Sequence, residues 1–239
     1  MGPELFLFGR IFEDCLERIA LTNRRFERAL LIGCPDSSWP ERLLHLAGNV
    51  DVRDPGRLFA ELAGGSDIVE DAWEPPHQAY DLVLAIGTLE TVNDLPLALR
   101  LIQYAMRPGG LFMGTISGGD TLPRLRAAMR SADTIGEGAT PHVHPRIEPS
   151  ALSPLLADAG FVRPVVDVER INLTYRSLEK LVADLRSMGV TNVLKSKAPP
   201  LTRAQREAAI ETFASLGQDG RTTETFELIH FAAWIGQQG

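Results

Sequence analysis

The chain has 239 residues, of which 44% are hydrophobic, so one large domain with a packed core is expected. Its 24 basic and 31 acidic residues give a net charge of −7, which argues against non-specific binding to nucleic acid or to anionic membranes. No apolar run approaches the roughly 18 residues of a membrane span. The two cysteines, Cys15 and Cys34, form no CxxC pattern. A disulfide framework is not expected, and a reducing cytoplasm is the expected location.

Apolar periodicity and turn residues divide the chain into alternating helices and strands. The predicted helices are Phe12–Ala20, Arg42–Leu46, Pro55–Leu62, Leu95–Met106, Leu122–Met129, Ser150–Ala159, Leu178–Met188 and Arg203–Leu216. The predicted strands are Ala29–Gly33, Asn49–Val52, Ser66–Glu70, Tyr80–Ile86, Leu111–Ser117, Phe161–Ile171 and Thr225–Trp234. Short connections between alternating strands and helices predict a doubly wound α/β sheet with right-handed crossovers.

The loop after the first predicted strand departs from the glycine-rich pattern of nucleotide-cofactor folds. In ALLIGCPDSSW, residues 29–39, Gly33 is the only glycine. Pro35 stands where a second glycine is expected, so one N–H donor is lost and φ is fixed near −65°. Asp36 adds a carboxylate. The NAD fingerprint GxGxxG is also absent, because residues 33–38 read GCPDSS.

Three segments carry a resemblance to one enzyme family. Residues 80–126, which include SGGDTL at 117–122, resemble the second half of a class I S-adenosylmethionine-dependent methyltransferase domain. NRRFERAL (23–30) and the segment 159–192 extend the resemblance over most of the chain. Within that superfamily the chain is similar to the biotin-pathway malonyl carrier-protein methyltransferases, and closer still to the methyltransferase-like assembly factors of respiratory complex I.

The resemblance implies a Rossmann-like sheet of seven strands, the last one antiparallel, with a helical cover between the fifth and sixth strands. A single methyltransferase-like domain is expected over residues 1–239. Its cofactor-binding core would be 1–117, its cover on the substrate side would be 118–160 and 172–222, and its last strands would be 161–171 and 225–235.

The resemblance also implies that S-adenosylmethionine lies across the carboxyl ends of the strands. Asp51 matches the ribose-binding acid, with Asp54 as the shifted alternative, and Asp71 matches the acid that binds adenine. Ile86 and Gly87 would line the reaction mouth. The implied cofactor contacts are Gly33, Cys34, Asp51, Asp71, Ala72, Ile86 and Gly87.

Three residues of the first loop depart from the family pattern. Leu31 stands where members usually carry an acid two residues before the first glycine. Pro35 and Asp36 follow, and the charge of Asp36 beside the cofactor carboxylate costs about 1 to 4 kcal/mol. Two functions therefore stay open. One is methyl transfer to a small-molecule or protein acceptor, mainly by proximity and orientation, with no general base assigned. The other is a non-methylating assembly factor that binds a respiratory-complex subunit, or the related arginine hydroxylase.

Other groups of residues are weighed against ordinary packing. His142 and His144, with Glu148 nearby in sequence, raise a metal hypothesis, although a polar cover loop is favoured. A helix N-terminus could lower the pKa of the Cys34 thiol, but packing is the preferred interpretation. Trp39 and Trp73 flank two cofactor loops and are hypothesised to plug a vacant cavity. The remaining candidates are surface side chains that could contact a partner: Tyr175, Arg176 and Arg186.

Overall fold

A computed structural model describes residues 5–136, 142–189 and 199–237. The strands are β1 (Phe26–Ile32), β2 (Ala47–Asp54), β3 (Ser66–Asp67), β4 (Tyr80–Ile86), β5 (Met106–Ser117), β6 (Phe161–Tyr175) and β7 (Thr222–Ile235). The helices are α1 (Phe6–Leu21), α2 (Trp39–Leu43), α3 (Arg57–Leu62), α4 (Leu95–Ala105), α5 (Pro123–Asp133), α6 (Pro149–Asp158), α7 (Leu178–Ser187) and α8 (Arg203–Ser215).

The seven strands form one mixed sheet in the order β3-β2-β1-β4-β5-β7-β6. β1 lies between β2 and β4 and is parallel to both, and β4 is parallel to β5. β7 is antiparallel to β5. The predicted fold class is therefore confirmed. β4 is the central strand of this order, and all seven of its residues, YDLVLAI, are buried.

The start of α4 agrees with the sequence pattern. The side chain of Asp94 accepts a hydrogen bond from the backbone N–H of Leu97, and Pro96 occupies the first turn. β5, in contrast, begins at Met106 rather than at Leu111. Tyr80 pairs with Met106 and Leu82 with Leu111, so Arg107–Gly110 form a bulge within the strand and do not end it.

The described residues pack as two compact units. The first contains residues 5–117, 147–168 and 229–237. Its core is formed by buried side chains of β1, β4, β5 and α4. The sequence predicts α6 as part of the cover, but Leu152 and Leu156 of this helix join the core of the first unit.

The second unit contains residues 118–136, 142–146, 169–189 and 199–228. Within it, α5 begins at Pro123 without a capping side chain from its own segment, since the preceding residue is Leu122 with φ of 59°. The buried carboxylate of Glu224 supplies the cap instead, and it accepts hydrogen bonds from the backbone N–H groups of Arg124 (3.0 Å) and Leu125 (2.8 Å). Among the helices of the described residues, none is both long and apolar enough to cross a membrane.

Candidate functional site

The parallel strands β1, β2 and β4 end at the same edge of the sheet, and Gly33 is the first residue beyond β1. Its N–H donates to the carbonyl of Arg53 at 2.8 Å, and its φ is 85°. A Cβ at this position would lie 2.2 Å from the carbonyl oxygen of Ile86. Only glycine therefore allows the loop to pass between the ends of β2 and β4.

The acid at the carboxyl end of β2 is Asp54, because the strand continues three residues past Asp51. The expectation that this strand ends at Val52 is wrong. The Asp54 carboxylate accepts hydrogen bonds from the N–H groups of Cys34 (2.6 Å) and Gly56 (2.7 Å). Its side chain is buried, and burial raises its pKa against the lowering effect of these two donors.

Asp51 lies within β2, opposite Leu30 of β1. Its carboxylate accepts hydrogen bonds from the guanidinium of Arg28 at 2.7 Å and from the hydroxyl of Tyr80 at 2.8 Å. The shifted alternative that the sequence left open, Asp54, is therefore the residue that the structure places beside the glycine loop.

The three departures in the first loop have different structural roles. Leu31 is fully buried and pairs with Val52 and Leu84, so this position belongs to the core. Pro35 is half-buried. The Asp36 carboxylate accepts from the N–H (2.9 Å) and hydroxyl (2.7 Å) of Ser38. Burial alone would raise the pKa of Asp36, but the hydrogen bonds from Ser38 and nearby positive charge, including that of Arg42, together outweigh it and the pKa is lowered. Asp36 is thus a charged group held by its own loop.

Cys34 is a packed residue in the same loop. It is buried, its thiol donates to the carbonyl of Asp36 at 3.2 Å, and burial raises its pKa to about 12. The thiol is protonated at neutral pH, so the packing interpretation holds and the idea of a lowered pKa is wrong.

The loop after β3 carries three adjacent residues with different environments. Asp71 accepts a hydrogen bond from the N–H of Asp94 at 2.9 Å, and the N–H of Ala72 donates to Val69 at 2.9 Å. Glu70 is buried, and its Oε1 has no hydrogen-bond partner. Burial raises the pKa of Glu70; its own backbone N–H and the nearby Thr88 side chain partly offset this, while the charges of Asp54 and Asp71 add to it.

The ends of β4 and β5 form the remaining part of this edge. Ile86 is buried, and Gly87 follows with φ of 68°. A Cβ on Gly87 would lie 2.3 Å from the ring of Phe8, so this ring packs directly on the glycine. Beyond it, Glu90 accepts a hydrogen bond through Oε1 from the hydroxyl of Ser117 at 3.0 Å. Its Oε2 is shielded from solvent and has no partner.

Neither of the two flanking indoles faces solvent. Trp39 is buried and stacks on Phe12 with a ring separation of 4.3 Å. Trp73 is partly buried against the core, and its Nε1 has no hydrogen-bond partner. The hypothesis that they plug a cavity stays a prediction.

The histidine pair of the metal hypothesis, His142 and His144, lies in the second unit. A ring nitrogen of His142 lies 2.9 Å from a carboxylate oxygen of Asp133, and no group of three suitable ligands occurs in the described parts of the chain. Tyr175 is buried and not a surface residue, and burial raises its pKa to about 12. Arg176 and Arg186 are exposed, and their partner role stays a prediction.

Sequence reasoning missed Glu70, Glu90 and Ser117. The sequence contains a signal for these residues, because polar residues at or just after the ends of parallel strands often line a site. Glu70 and Ser117 end predicted strands, and Glu90 follows the strand Tyr80–Ile86 by four residues. Asp71 was chosen instead because it fitted the family pattern, and composition does not reveal which carboxylates are shielded from solvent.

Comparisons with known proteins identify the family and the fold of this chain. Residues 7–163 match the methyltransferase domain family. The mitochondrial arginine-hydroxylase NDUFAF5 of Rattus norvegicus is 35% identical, and the alignment covers 97% of this chain and 72% of that protein. The malonyl-[acyl-carrier protein] O-methyltransferase of Xylella fastidiosa (strain M23) is 34% identical over 65% of this chain and 52% of that protein.

Solved structures show the same fold at low identity. The YcgJ protein of Bacillus subtilis matches with a TM-score of 0.62 and 12% identity, covering 93% of this chain and 97% of that one. The [4+2]-cyclase SpnF matches with a TM-score of 0.55 and 17% identity, covering 96% and 81%. One fold thus carries different chemistries in these neighbours.

Proposed function

Because the chain belongs to the methyltransferase domain family, we propose that it binds S-adenosylmethionine at the carboxyl edge of its sheet and modifies an arginine side chain of a protein partner. The arginine assignment is supported by the relative named an arginine hydroxylase, whose similarity extends over 97% of this chain. The malonyl-[acyl-carrier protein] O-methyltransferase matches only 65% of it.

The observation that carries the cofactor part is the environment of Asp54. Two backbone N–H groups, of Cys34 and Gly56, fix its carboxylate at the end of β2. A carboxylate has about four lone-pair positions, so two remain for the vicinal hydroxyls of a ribose. Asp71, at the next loop, would accept from the adenine amino group. The residues at the adenosine end therefore fit this cofactor.

The methionine end of the site follows the family less closely. Pro35 offers no N–H, and Asp36 is a charged carboxylate that is already bound to Ser38. When bound, the cofactor supplies a sulfonium-activated methyl group. The chain's own contribution is to hold the adenosine with Asp54 and Asp71. We expect weaker affinity than a loop with three glycines would give.

The proposed partner is a subunit of a respiratory complex, and the proposed compartment is a reducing one. The partner follows from the resemblance to assembly factors of complex I. The compartment is supported by Cys15 and Cys34, both of which are free thiols and buried.

Hydroxylation of the arginine, which the name of the relative indicates, is the first candidate reaction, and methyl transfer is the second. Methyl transfer is favoured by the matching adenosine acids, Asp54 and Asp71, because these would serve a methyl donor directly. The two reactions leave different products on an arginine: hydroxylation adds one oxygen atom, whereas methylation adds one methylene unit. Hydroxylation also requires an oxidant and an electron pair from a reductant, so an assay for it must contain dioxygen and a reductant.

The first test is calorimetric titration with S-adenosylmethionine and S-adenosylhomocysteine after removal of any co-purified ligand. We expect binding that falls at least about tenfold in Asp54→Ala, since a charged hydrogen bond contributes about 1.5 to 3 kcal/mol. Asp51→Ala, whose partners are Arg28 and Tyr80, is the matched control and should bind as the unaltered protein does. Absence of binding at millimolar ligand would refute the cofactor assignment.

The second measurement is mass spectrometry of complex I subunits from cells with and without the gene. An arginine that carries one additional oxygen only when the gene is present supports the hydroxylase. One additional methylene supports the methyltransferase. An identical set of arginine masses in both strains contradicts an arginine-modifying function.

A further inference from the structure

Glu90 is a half-buried acid just beyond the end of β4, and only one of its two carboxylate oxygens has a hydrogen-bond partner. It lies in a 3₁₀ turn, Leu89–Thr91, directly beyond β4. Ser117, the last residue of β5, donates its hydroxyl to Oε1 at 3.0 Å. Oε2 is shielded from solvent yet has no hydrogen-bond partner. The side chain is therefore oriented through one oxygen while the other lacks a donor.

Among the acids of the described residues, Glu90 and Glu70 each have a shielded oxygen without a hydrogen-bond partner. In contrast, Glu227 forms an ion pair with Arg170 at 2.6 Å, and Asp81 accepts from the backbone N–H groups of Glu27 and Arg28. No described Lys, Arg or His forms an ion pair with Glu90. A desolvated carboxylate oxygen without a donor is costly, and binding of a cationic ligand is one way to offset this cost.

The chain that leads to Glu90 is apolar. Ile86 at the end of β4 is buried, and the half-buried ring of Phe8 packs on Gly87, three residues before Glu90. An arginine side chain combines an apolar stem with a planar cation, so it suits a carboxylate that follows an apolar strand end.

We propose that Glu90 binds the guanidinium of the substrate arginine through its Oε2, and that Ser117 is the positioning residue that orients this carboxylate. This inference rests on the proposed function, from which it takes the arginine substrate. It adds the residue that recognises the cation and therefore the basis for selecting arginine over a neutral side chain of the same shape.

The test compares two small probes, Nα-acetyl-L-arginine amide and the citrulline analogue, which has the same shape without the charge. Binding is followed by NMR titration of the protein, with and without S-adenosylhomocysteine. Because a charge-assisted hydrogen bond is worth about 1.5 to 3 kcal/mol, the unaltered protein should prefer the arginine probe by about tenfold or more.

Glu90→Gln keeps the size of the side chain and removes its charge, so it should abolish this preference. Glu74→Gln is the matched control, since Glu74 is an exposed acid on the loop after β3. It should leave the preference unchanged. Ser117→Ala should reduce the preference by about threefold through loss of one orienting hydrogen bond. Ser117→Thr retains the hydroxyl and should restore it.

Three results would overturn the inference. These are equal affinity of the unaltered protein for the two probes, no arginine binding up to about 50 mM, and an unchanged preference in Glu90→Gln. Affinity for S-adenosylhomocysteine should not change in Glu90→Gln, which shows that the variant is folded. If the unaltered protein does not bind S-adenosylhomocysteine, the proposed function is refuted instead. The arginine titration without cofactor then still tests the role of Glu90.

Discussion

The carboxyl edge of the sheet has two regions whose carboxylates differ in how fully they are hydrogen-bonded. Where β1 and β2 end, Asp54 accepts two backbone N–H groups and Asp36 accepts two donors from Ser38. Where β3 and β4 end, Glu70 and Glu90 each keep one buried oxygen without a partner. The acids of the first region have donors within the chain, whereas each acid of the second region has an oxygen without a donor among the described residues. Stability should therefore depend mainly on the first region, which also holds the cofactor through Asp54, and recognition of the arginine substrate should depend on the second.

The largest expected effect is at Gly33. In Gly33→Ala the new Cβ would meet the Ile86 carbonyl oxygen at 2.2 Å, and the residue would have to keep a φ of 85°. We expect a loss of about 4 kcal/mol in the free energy of unfolding, from the strained backbone and from overpacking between β1 and β4. Urea denaturation followed by circular dichroism measures it.

Gly64→Ala is the matched control for this substitution. Gly64 has a similar φ of 69°, but nothing lies within 4 Å of the position of its Cβ. It should cost only about 1 to 2 kcal/mol, the conformational part alone. Equal losses in the two variants would show that close approach of the backbone at Gly33 is not important.

The second-largest expected effect is the loss of stability on substitution of Asp54 in the first region. Asp54→Ala leaves the buried N–H of Cys34 and the N–H of Gly56 without acceptors, so we expect a loss of about 2 to 3 kcal/mol. Asp51→Ala removes a half-exposed ion pair with Arg28 and the hydroxyl contact of Tyr80, and should cost about 1 kcal/mol. Chemical denaturation of both variants measures the two losses in the free energy of unfolding, which can then be compared. A larger loss in Asp51→Ala would reverse the order of importance that we assign to these acids.

The smallest effect has the opposite sign. Burial raises the pKa of Glu70, so its charged form destabilises the folded state at pH values above the folded pKa, and this cost is absent below the unfolded value of about 4.3. Glu70→Gln should therefore stabilise the protein by about 1 kcal/mol at pH 7. The gain should disappear on acidification below pH of about 4.

Thermal denaturation across this pH range checks the prediction for Glu70. The exposed Glu74→Gln variant should show no gain at either end of the range. A Glu70→Gln variant that is less stable than the unaltered protein at pH 7 would mean that the carboxylate is satisfied in solution.

Local patterns in the sequence are sufficient for the central elements. Tyr80–Ile86 is a run of apolar residues between turn formers, and it forms the fully buried β4. Asp94 followed by a proline predicts the start of α4, which has the expected cap. In both places the information is contained in adjacent residues, and the tertiary structure agrees with it.

Features that depend on distant partners could not be predicted in this way. The sequence favours Asp51 and offers Asp54 only as the shifted alternative, and the pairing of β2 with β1 shows that Asp54 is the one at the edge. Nothing in the local sequence distinguishes Glu90 from a surface acid, because its contact is with Ser117, 27 residues later in the chain. Tyr175 resembles a surface tyrosine next to Arg176, yet it is buried.

The capping of α5 has a consequence for the order in which this protein is made. The carboxylate that completes the start of the helix belongs to Glu224, 99 residues after the last N–H that it binds. During translation the ribosome therefore releases the whole of α5 long before the residue that caps it. The cap of this helix can form only after Glu224 has been made, so β7 completes an element that is synthesised well before it.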